Sequence, residues 1–267
     1  MNFEYIDTKN KLDKLNINFN NYNIKINIKT NVESVLFKFL SSINGDKSYY
    51  INNNKIKYID ITNNEESYLF FIKCIDISND LIKKNNLLNT FDDNIWNVCI
   101  YNDMMFNLPF TLENIIFLPI NFIETCKNNN EENKFIETLI HEKIHVLQRK
   151  NNDFWDNYIN KFDSKWIKIT KDNLLFNNIK NSINNFNEKI VIYNPDTYYD
   201  FLYIYKKNDK IYLGLLVLKN KNLIETKWFE YNTAFNKLII LDYNLFDEEH
   251  PYELLAYKLS YEIVKNI

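Results

Sequence analysis

Two of the three histidines in this chain of 267 residues stand four positions apart, in the run His141-Glu142-Lys143-Ile144-His145. On a helix, residues i and i+4 project from one face a turn apart, so both imidazoles can reach one ion. Zn2+ takes imidazole nitrogens readily and is the metal this pattern suits. Glu142 follows the first histidine and would stand beside the coordination position that a catalytic zinc site leaves open. There its carboxylate can take a proton from metal-activated water and later hand it to a leaving group. The alternative is plainer: two solvated or hydrogen-bonded histidines on an ordinary helix.

The flanking residues predict the helix that the pattern needs. Asn128-Asn129-Asn130 is a polar cluster able to supply an N-cap, and Glu131 and Glu132 suit the first turn. Ile136, Ile140, Ile144 and Leu147, with Phe135 and Leu139 alongside, form an apolar stripe of helical period. Arg149 and Lys150 fall where the helix dipole favours positive charge, and neither Gly nor Pro interrupts the run.

A catalytic zinc site commonly has three protein ligands, so a third must come from elsewhere. The metzincin pattern would need Gly at position 148 and His at position 151, where this chain has Gln148 and Asn151. That pattern is excluded. A glutamate on a later helix, as in gluzincins, remains. The segment His250-Pro251-Tyr252-Glu253-Leu254-Leu255-Ala256 fits, with Pro in the first helical turn and a small Ala one turn after the carboxylate. Glu253 is the expected ligand, and Ala256 would let its helix approach the motif helix closely. A glutamate near the third helical position can instead act as a cap. His250, Asp247, Glu248 and Glu249 are the other groups within reach. His250 has three possible roles: ligand, catalytic contact to the tetrahedral intermediate, or N-cap. An oxyanion partner is also needed, and Tyr252, Tyr257 and His250 lie nearest the third-ligand helix.

The runs HEKIHVLQR, Asn194-Pro195-Asp196 followed by the aromatic FLYIYK, and HPYELLAY together resemble an uncharacterised family of gluzincin-like zinc metalloproteases. Its members occur in large DNA viruses of protists and in some protist genomes. Leu108-Pro109-Phe110-Thr111 with IIFLP resembles that family's upstream strand. The resemblance covers about residues 102–257, and its one specific motif is the histidine pair with its glutamate. The family tends to carry Asn where this chain has His250. The resemblance implies a zincin-like fold, zinc as cofactor, His141, His145 and Glu253 as ligands, Glu142 as base, and hydrolysis of peptide bonds.

Composition narrows the remaining classes. A net charge of −3 and the lack of a Lys/Arg block give no reason to expect a nucleic-acid partner. No apolar stretch approaches a membrane span, and the N-terminus lacks a secretory h-region, so a soluble, intracellular protein is expected, in host cytoplasm or virion if the source is viral. Cys74, Cys99 and Cys126, odd in number and without a CxxC pair, read as reduced core thiols. Asn, Lys and Ile are abundant while Gly (2) and Pro (4) are scarce, a codon bias that makes Asn-rich stretches weak evidence of disorder. The partner expected is a peptide or protein substrate. The competing reading is a zincin-fold structural or partner-binding protein whose metal site only stabilises.

The coarse pattern is α+β. Strands are expected at 23–28, 55–61, 68–77, 95–101 and 114–118, and helices at 32–43 (ended by Gly45) and 80–88. The strand at 114–118 is the expected edge for an extended substrate. After the motif helix, Phe154, Tyr158, Phe162 and Trp166 predict an aromatic-faced helix, and 171–186 a further one. Strands follow at 190–193, 201–205 and 211–218, with a hairpin at Asn208-Asp209, as a strand-rich insertion before the closing helix from Pro251 to about Lys265. The parts are a 1–101 region of unknown role and a catalytic 102–267 region, expected as one compact unit with a mixed sheet on the motif helix.

Overall fold

Continuous apolar runs and well-signalled helix ends build the first part of the molecule, seen here in a computed structural model. It describes residues 23–26, 29–43, 57–102, 108–186, 191–220, 223–265 and 267. The chain divides into two compact units: residues up to Lys150 together with Ala256–Ile267, and Asn151–Leu255. The division falls at Lys150/Asn151 and not at the expected 101/102, where a strand runs through. The fold is mixed α and β, with no barrel among the described residues.

The first unit holds β1 (Asn23–Ile26), α1 (Lys29–Ser42), β2 (Lys57–Tyr58), α2 (Glu65–Lys84), α3 (Asn86–Asn89), β3 (Ile95–Asn102), β4 (Phe110–Leu112), β5 (Ile115–Pro119), α4 (Ile120–Asn128) and α5 (Glu132–Lys150). Its sheet has the order β1-β3-β5-β4, with β2 beside the far end of β3. β1, β3 and β5 are parallel, and β4 is antiparallel to β5. All five residues of β5 are buried, as are Val98 to Tyr101 of β3, which is why neither strand alternates in sequence. β5 is therefore interior. Among the described residues, the edge expected at 114–118 lies instead at β4, whose Phe110, Thr111 and Leu112 pair with Phe117, Ile116 and Ile115.

The strand expected at 68–77 is instead the middle of α2. Asn64 accepts from the Ser67 N–H at 3.2 Å, and Glu65 and Glu66 occupy the first turn. Tyr68, Phe71, Ile72, Ile75 and Ile82 then bury one helical face. Phe70 and Phe71 meet Phe135 of α5 at 5.3 and 6.4 Å between ring centroids. Only Lys57–Tyr58 of the strand expected at 55–61 forms, residues 55 and 56 lying outside the described residues, as does Gly45. The three cysteines are free and buried, as expected.

The second unit holds α6 (Asn152–Phe162), β6 (Trp166–Thr170), α7 (Leu174–Asn184), β7 (Val191–Ile192), β8 (Phe201–Lys207), β9 (Lys210–Asn220), β10 (Leu223–Asn232) and β11 (Lys237–Ile240). Its antiparallel sheet runs β11-β10-β9-β8-β6, with β7 beside β9. The β8–β9 hairpin turns at Asn208 (φ 50°) and Asp209 (φ 58°), the two left-handed positions that a two-residue turn between Lys207 and Lys210 requires. Helix α7 packs Phe176, Ile179 and Ile183 with Ile204, Leu213, Val217, Phe229 and Leu238 of the sheet. Trp166 begins a strand and does not extend the aromatic helix. Asp163 stops that helix by accepting the Lys165 N–H at 3.0 Å, a local turn that competes with continuation.

The closing helix α8 (Pro251–Val264) starts in the second unit and continues through Ala256 into the first. No helix among the described residues is long and apolar enough to cross a membrane.

Candidate metal centre

Helix α5 is buried on every side from Leu139 to Gln148. A helix that presents polar residues to a dry interior must have them answered by other groups. Lys143, between the two histidines, meets Asp92 Oδ1 at 2.9 Å and donates to the Ile95 carbonyl at 2.6 Å, its side chain and that of Asp92 each 1 % exposed. The Trp96 ring lies 5.2 Å from its Nζ. This ion pair fixes the helix against the start of β3.

His145 is equally constrained. Its Nδ1 lies 2.8 Å from Gln148 Oε1, so Nδ1 donates to the amide oxygen and the Nε2 lone pair faces the other way. Nε2 of His145 and Nε2 of His141 are 3.1 Å apart. Two imidazole nitrogens on one tetrahedral Zn2+ at about 2.0–2.1 Å stand about 3.3 Å from each other. The pair is close to the spacing a shared ion needs.

Glu253 completes the group. Ligand atoms of His141, His145 and Glu253 all lie within 4.8 Å of one another, and all three residues are buried. This cluster could hold a metal ion. Because α8 is one continuous helix, Glu253 shares a rod with Tyr257, whose ring centroid lies 4.3 Å from that of His141. Ala256, between them, is fully buried, consistent with the close approach expected of a small residue. One buried carboxyl and two imidazoles make a donor set that fits Zn2+.

Glu142 is also buried, and its Oε2 accepts from Thr111 Oγ1 at 2.7 Å. The same hydroxyl stands 3.2 Å from the Glu142 carbonyl, but its one proton goes to the nearer carboxyl oxygen. Thr111 comes from β4, 31 residues away, and nothing in the spacing of the histidine motif points to it.

The first turn of α8 is held by its own set of contacts. His250 precedes Pro251, and its Nδ1 accepts the Tyr252 N–H at 3.1 Å, the N-cap arrangement. Its ring stands edge-on to Tyr203 at 5.2 Å. His250 is therefore a cap at the start of α8, and the cluster that could hold a metal ion does not include it. Tyr252 and Tyr203 both donate to Asp156 Oδ1, at 2.7 and 2.6 Å, while Lys168 holds Oδ2 at 2.6 Å. Burial first, and then the bond to Asp156, push both phenols far above their usual pKa.

Asn194 reaches Glu253 itself. Its Nδ2 donates to Glu253 Oε1 at 2.9 Å and to Glu249 Oε1 at 2.7 Å. In the sequence, Asn194-Pro195-Asp196 entered only as part of the family resemblance. Glu249 is buried, and its acid is pushed up by burial and then by the charge of Glu253. Asp247 and Glu248, the other acids expected within reach, are not in the metal-binding group.

No protein-family model matches this chain, and no curated protein or solved structure does. What the site can do is carried by its own geometry.

Proposed function

We propose that this chain is a zinc-dependent metallopeptidase of zincin type, in the gluzincin arrangement, acting on a peptide or protein substrate. The observation that carries this reading is the convergence of His141, His145 and Glu253 with Glu142 on the same helical turn as the histidines. The motif resemblance to the viral and protist family supports it.

His141, His145 and Glu253 would hold the ion, which when bound supplies Lewis-acid activation of water and of the scissile carbonyl. Glu142 takes the proton from the attacking water and passes it to the leaving amine. Thr111 fixes one oxygen of that carboxylate, so the base does not have to be oriented during turnover. An extended substrate would add to β4, the edge strand that carries Thr111. Of the groups expected to face the oxyanion, Tyr252 gives its hydroxyl to Asp156 and His250 gives Nδ1 to the cap. Tyr257, half exposed and packed on His141, is the first to test.

Elemental analysis of the purified chain should find about one zinc per molecule, and a peptide library should be cleaved until a chelator is added. Glu142→Gln should keep the metal while hydrolysis falls roughly 10^2–10^4-fold, because proton transfer alone is removed. Equal cleavage by Glu142→Gln and wild type would end the peptidase reading. Zinc-loaded protein that cleaves nothing in a broad screen would favour a zincin-fold binding protein with a stabilising metal.

A further inference from the structure

Asn194 is half-buried in the second unit and makes more contacts than a surface turn requires. Its Oδ1 accepts the Asp196 N–H at 3.0 Å, closing a turn around Pro195. The amide orientation is thereby assigned, since an oxygen must face that N–H and the nitrogen must face the other side. On that side stand two carboxyl groups, Glu253 Oε1 at 2.9 Å and Glu249 Oε1 at 2.7 Å. An amide nitrogen has two hydrogens, so one serves each glutamate and its donor capacity is filled.

The second glutamate is itself held by neighbours on one oxygen and along its backbone. Thr197 Oγ1 lies 3.3 Å from the same Glu249 oxygen. The Glu249 backbone presses on Gly214 of β9, where an added Cβ would stand 2.5 Å from the Glu249 carbonyl oxygen and 2.6 Å from its Cα. Strand, glutamate and amide thus form a rigid stack, with Glu253 at its end. Pro195, whose ring limits φ, stiffens the turn that aims the amide.

We propose that Asn194, backed by Glu249, is the positioning residue that fixes the Glu253 carboxylate for metal binding; this rests on the metal site proposed above. A ligand carboxylate that is not held can rotate away, and partners behind metal ligands typically change affinity by 10–100-fold when removed. The two roles of the amide can be separated. Asn194→Asp keeps an oxygen for the Asp196 N–H but sets an acceptor against Glu253. Asn194→Ala removes both.

The full-length chain, stripped of metal, is titrated with Zn2+ alone in competition with a chromophoric chelator, and its fold is followed by circular dichroism. Both variants should bind zinc about 10–100-fold more weakly than wild type, with Asn194→Asp at least as impaired as Asn194→Ala despite its intact turn. Wild-type affinity in a folded Asn194→Asp chain overturns the role of Asn194, because the turn alone would then suffice. Should Asn194→Ala not fold, the Asn194→Asp comparison decides the matter. A wild-type chain that binds no zinc overturns the metal site as well, so the two failures are told apart.

Discussion

Helix α5 and the first turn of α8 supply one cluster that could hold a metal ion, and they do so by opposite means. In α5 the relation between His141, Glu142 and His145 is intrinsic, because helical geometry alone puts i and i+4 on one face. At Glu253 almost nothing is local: its carboxylate is met by Asn194 from 59 residues away, and its helix start is tied down through Asp156, 96 residues from Tyr252. The first arrangement survives any change that keeps the helix. The second depends on the whole sheet of its unit.

The largest effect should come from the α5 side. Replacing both histidines by alanine should abolish stoichiometric zinc binding, a loss of at least about a thousandfold or 4 kcal/mol, read by chelator competition. Glu253→Ala should bind zinc more weakly than wild type but more tightly than the double variant. Zinc retention in the double-histidine variant would place the metal elsewhere. Next comes Lys143→Met, which leaves the buried Asp92 carboxylate without its cation. About 3–5 kcal/mol of stability should be lost, seen as a lower denaturation midpoint of the first unit. An unchanged midpoint would mean that the ion pair contributes no more than its apolar replacement.

Thr111→Val tests whether a base needs an anchor when its helix is already rigid. Turnover should fall about tenfold, equivalent to 1.4 kcal/mol, with zinc affinity unaltered. A drop in affinity with unchanged turnover would reassign Thr111 to the metal. The smallest effect is expected at His250→Ala: loss of an N-cap worth about 1 kcal/mol, with the metal retained. A large fall in turnover without loss of stability would give His250 the catalytic role that its capping contact leaves unassigned.

This contrast also explains what could be read from residues alone. Spacing and end signals revealed α5, its two histidines and glutamate, the closing helix and the Asn208-Asp209 hairpin, since each is a matter of a few consecutive residues. Thr111 and Asn194 escaped because their partners are distant in sequence and no period links them. The run from Tyr68 to Ile77 is apolar and rich in aromatic residues, so it reads equally as a buried strand. Asn64 and the two acids after it, which cap α2, were the signal that should have decided. β5 was rightly a strand, but a strand's pattern does not say which neighbours it acquires. Its place inside the sheet follows from pairing with both β3 and β4.

The uneven placing of two residue types equips the molecule with its own reporters. Cys74, Cys99 and Cys126 all belong to the first unit, and burial raises the pKa of each thiol. A thiol-specific dye should react only when that unit opens. Three of the four tryptophans, Trp155, Trp166 and Trp228, are buried in the second unit. Their emission therefore tracks chiefly that unit. One unlabelled sample, followed by dye uptake and by fluorescence, should time the unfolding of the half that carries the histidines separately from the half that aims the glutamate.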